Sequence, residues 1–596
     1  MKKLFYFLAV FSFLTACANE VEEAAAKPEL AISEAPAPMA DDSSPLPKGV
    51  AGSYLAGRAA YLSSDVKDAL PYLQETLAGD PDNTALLDRA ILLLAGAGRI
   101  KEALPVADHL AELKPNAAMA ILPRLAEAAA NKEWDKVKKL LEPLPLESLN
   151  LLSKPLAGAW AAAAKGDKAE ALSKLEPLAK SDPSLNIALL HRALIADILN
   201  DAKMADGFYG QVLARFNNPP LRLVLLAGNF YARQGNTATA QRLYEEFNAR
   251  GSDSARLDSL IAALKTGSKP TPLIGDAKAG MAEAFFELAD ALSGDRLAPA
   301  ALFYSRLSLH LKKDHVFANL LAAEALDTME RYSEAAPLYE SLQSHPVFGQ
   351  LSRLGLARSL LRAGNMTAAL QSLEETLRQS PKSAEALMVK GDILRQQKNY
   401  AEAAAAYSQA IAAVDKEEPR HWALYYARGV SFERAKNWPK AKADFEHALT
   451  LNTDQAYVLN YLGYSLVERG EDLEKAKLLL SRAVELEPSD GSIVDSLGWA
   501  YFKSGDFPQS LVYLQRALEL RPFDPVIIDH VGDALWRVNK REDAKFKWLQ
   551  ALKFSPEDEL KSQIEKKLQA GLPKILSKID KPAPQGEAKA PAALTQ

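Results

Sequence analysis

The chain has 596 residues, a quarter of them charged, with 71 basic against 76 acidic side chains and a formal net charge of -5. That near balance gives no electrostatic case for nucleic acid, whose binding rests on an excess of basic groups. The lone cysteine excludes an intramolecular disulfide, and a composition dominated by alanine and leucine, with 8% aromatic residues, points to an all-α class.

In chain order, Lys2 and Lys3 precede a run from Leu4 to Leu14 that is apolar except for Ser12. It is too short for a comfortable membrane span and reads as a cleaved export signal over residues 1–16. Leu14-Thr15-Ala16-Cys17 resembles the lipobox of bacterial lipoproteins. The resemblance implies that the Cys17 thiol is diacylglycerylated, that the chain is cut before it, and that the new amino terminus is acylated. Several acyl chains on one residue hold a protein on a membrane durably, where one alone binds marginally. Ala18, in place of aspartate, implies sorting to the outer membrane, facing the periplasm. Residues 17–48 are rich in Ala, Glu and Pro and are predicted to be a disordered tether. As a flexible chain it would span roughly 30 Å.

From residue 50 a small-residue position recurs at Gly57, Ile91, Leu125, Ala159, Ala193, Gly228, Ala289, Ala323, Ala357, Gly391, Gly429, Gly463, Gly498 and Gly532. The step is 34 nine times, 35 twice and 38 once, with one break of 61. A fixed period of this size predicts a solenoid. The strongest blocks carry an aromatic or aliphatic residue three after the anchor, alanine twelve after, a bulky residue sixteen after, alanine nineteen after and proline twenty-four after. Gly532 has Leu535, Ala544, Trp548, Ala551 and Pro556 at those places. Apolar positions at helical spacing, interrupted by a short polar turn such as 538–541, predict a pair of antiparallel helices. This set of positions resembles the tetratricopeptide repeat. The resemblance implies an all-α, right-handed superhelical solenoid of about fourteen helix pairs, six over 50–249 and eight with a terminal helix over 282–570.

The break falls at 250–281. Leu257, Leu260, Ile261 and Leu264 predict a short amphipathic helix, and 266–272 a loop. The insertion is read either as a tolerated excursion or as a joint between two superhelical segments. A second disordered tail is predicted over 580–596.

Catalytic signatures do not emerge. There is no phosphate-binding loop, no His-Glu-x-x-His and no Gly-x-Ser-x-Gly. Ser64-x-x-Lys67 with Lys265-Thr266-Gly267 echoes penicillin-binding enzymes but lacks Ser-Asp-Asn, and the eight histidines are dispersed. The expectation is a protein that is not an enzyme, with no cofactor and no metal.

By the geometry of the repeat family, residues three before, one after and four after an anchor line the concave face. These are Asn460, Tyr464 and Val467, then Asp495, Trp499 and Phe502, then Asp529, Asp533 and Trp536. Aromatic anchors beside polar groups suit a protein interface, and the acidic groups would favour basic or apolar segments. The competing reading packs Trp499 and Trp536 between neighbouring repeats. Lysine three before and asparagine one after an anchor, the pair that grips chaperone carboxylates in this family, is absent; Asn229 follows Gly228, but Leu225 holds the lysine place.

The runs 459–466, 495–501 and 529–536 are similar to the C-terminal part of a proteobacterial family of lipid-anchored repeat proteins, one of which is an adaptor for a periplasmic carboxy-terminal processing protease. That resemblance implies a periplasmic scaffold with protein partners, a protease and cell-wall hydrolases among them. The alternative is a structural subunit of an envelope secretion or polysaccharide-export complex.

Overall fold

The computed structural model describes residues 52, 53, 55–57, 66–249, 257–267, 269–294, 297–414 and 417–573. Cys17, the export signal, the tether and the tail lie outside them. Among the described residues all regular structure is helical, in two compact units divided between Ser372 and Leu373.

Unit 1 opens with α1 (Val66–Gly79), α2 (Thr84–Gly96), α3 (Ile100–Leu113), α4 (Ala118–Ala130) and α5 (Trp134–Leu141). It continues through α6 (Asn150–Ala163), α7 (Lys168–Lys174), α8 (Glu176–Ala179), α9 (Asp182–Ile198), α10 (Ala202–Leu213), α11 (Leu221–Arg233) and α12 (Thr237–Asn248). The insertion supplies α13 (Asp258–Lys265). Then come α14 (Ala277–Ala291), α15 (Ala298–Leu311), α16 (Val316–Thr328), α17 (Tyr332–Glu340) and α18 (Gly349–Arg362), with α19 (Met366–Gln379) crossing the divide. Unit 2 holds α20 (Ala384–Gln396), α21 (Tyr400–Ala412), α22 (Trp422–Arg434), α23 (Trp438–Leu451), α24 (Ala456–Arg469) and α25 (Leu473–Leu486). It ends with α26 (Gly491–Ser504), α27 (Phe507–Leu520), α28 (Pro525–Arg537), α29 (Arg541–Lys553) and the terminal α30 (Asp558–Ala570).

The anchors earn their period through a repeated contact. Each of Gly228, Gly391, Gly429, Gly498 and Gly532 lies on the first helix of a pair, where a Cβ would strike the side chain sixteen residues on: Tyr244, Tyr407, Phe445, Leu514 and Trp548. The volume missing at the glycine is filled by the ring or branched chain of the second helix, and close packing of this kind fixes how the two helices meet. Ile91 inverts the arrangement, since the residue sixteen after it is the fully buried Ala107. Seven after the anchor the backbone turns left-handed in twelve pairs, at Gly98, Lys132, Gly166, Asn200, Gly235, Glu330, Gly364, Lys398, Lys436, Gly470, Gly505 and Asn539. This residue reverses the chain between the two helices.

The insertion is shorter than the bounds 250–281, and of its two readings the joint does not coincide with the division into compact units. Residues 277–281 form the first turn of α14, and both flanks of the insertion belong to unit 1. The reason is long-range packing: α14 lies against α6 and α9, and α15 against α2 and α4. Gly280 admits the Trp160 ring where a Cβ would collide with it. Leu302 comes within 3.5 Å of the Cβ position of Gly96, and the Arg306 Nε–H donates to the Gly96 carbonyl at 3.1 Å. Trp160 stands one after its anchor, the place expected to line an open groove, yet it is fully buried. That face of unit 1 is occupied by the chain itself.

Candidate functional site

The C-terminal residues singled out for partner binding are held mostly by their own unit. Asp495, Asp529 and Asp533 are only 6%, 3% and 4% exposed. Asp495 faces His530 of the next pair, whose Nδ1 lies 3.0 Å from both carboxylate oxygens. Burial opposes the imidazolium, but the neighbouring carboxylates outweigh it and the His530 pKa rises. Lys567 of α30 reaches back to donate to Asp529 at 2.7 Å and Asp533 at 2.8 Å, and the Trp548 indole N–H donates to Asp533 at 3.0 Å. Burial and then Asp529 lift the Asp533 carboxyl to about 6. An acidic groove selecting basic segments is therefore not what these residues form. Their charge is spent inside the unit, because α30 brings a lysine into the space a partner would need.

The aromatic members make contacts within the unit, Trp499 with a neighbouring pair and Trp536 with the second helix of its own pair. Trp499 stacks on Phe502 at 4.7 Å and on His530 at 4.0 Å, and its indole N–H donates to Glu468 at 2.6 Å. Trp536 lies 5.4 Å from the Trp548 ring, and Gly571, with φ +67°, allows the chain after α30 to cross it. Tyr464 is half-buried, its hydroxyl pKa raised by burial and then by Glu468 and Asp495. Asn460 is buried, and its Oδ1 has no hydrogen-bond partner among the described residues.

A different surface of unit 2 is open. Fourteen residues after Gly498 and Gly532 stand Val512 and Phe546, and Leu478 takes the same place in the pair of Gly463, whose turn is one residue longer. They are 73%, 58% and 66% exposed for Leu478, Val512 and Phe546, at corresponding places on α25, α27 and α29. Ala405 and Ala443 are exposed at that place on α21 and α23. The signal was present in the sequence, since an apolar residue recurs there at the repeat spacing. It escapes a reading that asks only which positions are core.

In unit 1 a buried ion cluster joins α11, α14 and α16. Arg222 binds Glu283 and reaches Glu287 at 3.0 Å, and His315 Nε2 lies 2.6 Å from the second Glu283 oxygen. Burial works against the Glu283 carboxylate, but Arg222 and His315 outweigh it and hold its pKa low. Burial dominates at Glu287 and raises it to about 7. His191 accepts from the Trp160 indole N–H at 2.9 Å, and burial lowers its pKa to about 3, so the imidazole is neutral. His310, on α15, pairs with Glu127 of α4 at 2.7 Å. Among the described residues no His, Cys, Asp and Glu cluster is arranged to hold a metal ion, and no helix is long and apolar enough to cross a membrane.

Residues 54–118, 354–418 and 461–525 match the tetratricopeptide repeat. A TPR repeat-containing protein of Pseudomonas aeruginosa is 27% identical over 195 residues, covering 32% of this chain and 31% of that relative's own length. Among solved structures, Cut9 in the APC/C Cut9–Hcn1 hetero-tetramer aligns over 87% of this chain and 96% of its own, at 14% identity and a TM-score of 0.38. Yeast Tom70 aligns over 88% and 95%, at 15% identity and a TM-score of 0.33. The chain carries tetratricopeptide repeats stacked as helix pairs, the architecture of a scaffold for protein–protein interaction.

Proposed function

We propose that this chain is a lipid-anchored periplasmic scaffold that gathers protein partners at the outer membrane, with a carboxy-terminal processing protease and peptidoglycan hydrolases among them. The observation that carries partner binding is the exposed row Leu478, Val512 and Phe546 on three successive second helices. Large apolar side chains kept in water at one repeated position mark an interaction surface more strongly than scattered ones would. The membrane and the partner class rest on the Leu14–Cys17 lipobox and on the similarity of 459–536 to the adaptor family.

Affinity purification of the full chain from crosslinked envelopes tests both parts. The protease and cell-wall enzymes should be recovered with the native chain and reduced about tenfold with Val512→Glu combined with Phe546→Glu, the factor that losing ~1.4 kcal/mol produces. Recovery of a secretion or polysaccharide-export complex instead would favour a structural subunit of that machine. Cys17→Ser should move the protein from the membrane to the soluble fraction, and retention on the membrane would overturn the anchor.

A further inference from the structure

Unit 1 contains a cavity of about 710 Å³ where the repeat pattern breaks, between α11, α13, the segment 270–274 and the residues that lead into α18. That volume is in the range that takes one small-molecule ligand, roughly 300–1,000 Å³. Its wall is mainly aliphatic, with Leu226 of α11, Leu264 of α13, Ile274 and Val347 among the lining side chains.

The polar groups in the wall decide what could enter. The Asn229 carboxamide is committed to the chain's own segment, donating to the Thr271 carbonyl at 2.9 Å and accepting from the Leu273 N–H at 3.4 Å. The Asn319 amide donates to the Lys313 carbonyl at 3.2 Å, and His345 Nδ1 accepts from the Val347 and Phe348 N–H groups at 3.1 and 3.2 Å. Arg222, Glu283 and His315 satisfy one another. Beyond the Tyr244 hydroxyl and Lys313, a peptide entering this space would find few partners for its backbone groups, which is costly, whereas an alkyl chain needs none. Two lysines line the cavity beside this wall. Lys312 pairs with Asp314 at 2.7 Å, while the exposed Lys313 makes no ion pair among the described residues.

We propose that this cavity binds a single-chain anionic amphiphile, its alkyl chain against Leu226, Leu264, Ile274 and Val347 and its charged head at Lys313. Free fatty acids and lysophospholipids share this chemistry. Titrating the purified full chain with the fluorescent fatty acid cis-parinarate, then competing with palmitate and with lysophosphatidylglycerol, tests the site and distinguishes the sources. One saturable site per chain is expected. Lys313→Glu, at an exposed position, should raise Kd about fivefold, the upper end for one exposed ionic contact. Leu264→Glu should raise it more than about tenfold. Leu264→Trp, which fills the space without adding charge, should also exclude the probe while the melting temperature confirms that the unit is folded. Partition that never saturates, equal binding by all variants, or displacement by an apolar peptide but by neither lipid would overturn the proposal.

Discussion

Lys132, Glu330, Lys398 and Lys436 hold the left-handed backbone position that glycine fills in other pairs, at φ between 59° and 63°. A side chain there costs roughly 1–2 kcal/mol, part of which glycine returns through its greater freedom in the unfolded chain. Lys398→Gly and Lys436→Gly are therefore expected to raise stability by about 0.5–1 kcal/mol each, read as a higher urea midpoint at unchanged slope. The reverse change, Gly505→Ala, should lower it by a similar amount. The anchor itself was legible in the sequence because missing volume at glycine and bulk sixteen residues on leave a compositional trace. The turn position was less so, since half its occupants are ordinary polar residues that any exposed loop would carry.

Lys567 belongs to the same scale. Its ammonium is opposed by burial, yet Asp533 and Asp529 raise its pKa above the ordinary value. Its stabilising contribution is thus complete below the ordinary lysine pKa and lost as pH rises through the folded one. Lys567→Met leaves two buried carboxylates without their cation and should cost about 3–5 kcal/mol at neutral pH. The Asp533 carboxyl, at about 6 against an ordinary 3.8, makes stability fall as pH rises between those values. The deficit of the variant should accordingly shrink when melting is repeated at pH 5. An equal deficit at pH 5 and pH 8 would remove the electrostatic explanation.

At the scale of the element, α14 and α30 show what the concave positions meet in the folded chain. α30 buries little of itself and α14 is buried on nearly every face, but no local pattern tells which distant face each will cover. The concave positions of the last pair look free until α30 returns over them, and Trp160, one after its anchor, is buried where Gly280 admits it. The covering of α6 and α9 by α14, with Arg222 paired to it, buries Glu287 with a pKa of about 7 against an ordinary 4.5. The folded state holds that proton more tightly, so stability declines as pH rises from about 4.5 to 7 and is level above. Glu287→Gln keeps an acceptor for Arg222 and should flatten this part of the stability–pH curve, measured by thermal melting of the full chain at intervals from pH 4.5 to 8. A curve of unchanged slope would place the titration elsewhere.

For the whole molecule, the two units are expected to unfold in different manners. In unit 2 the helices contact their near neighbours along the sequence, so stability is a sum of local interfaces and disturbance should spread only to the next pair. In unit 1 the Arg306–Gly96 bond spans 210 residues and the α14–α15 pair touches four earlier helices, so those helices lose a common support together. Hydrogen exchange can separate these behaviours. Gly280→Ala pushes a methyl into the Trp160 ring, an overpacking that costs about 1–3 kcal/mol, and should lower amide protection across α2, α4, α6, α14 and α15 at once. Gly532→Ala meets the Trp548 ring in the same way, yet it should loosen only α28, α29, α30 and the adjoining pair α26–α27. Protection lost along the full length of unit 2 would mean that its pairs act as one cooperative body, and the nearest-neighbour account of that unit would fail.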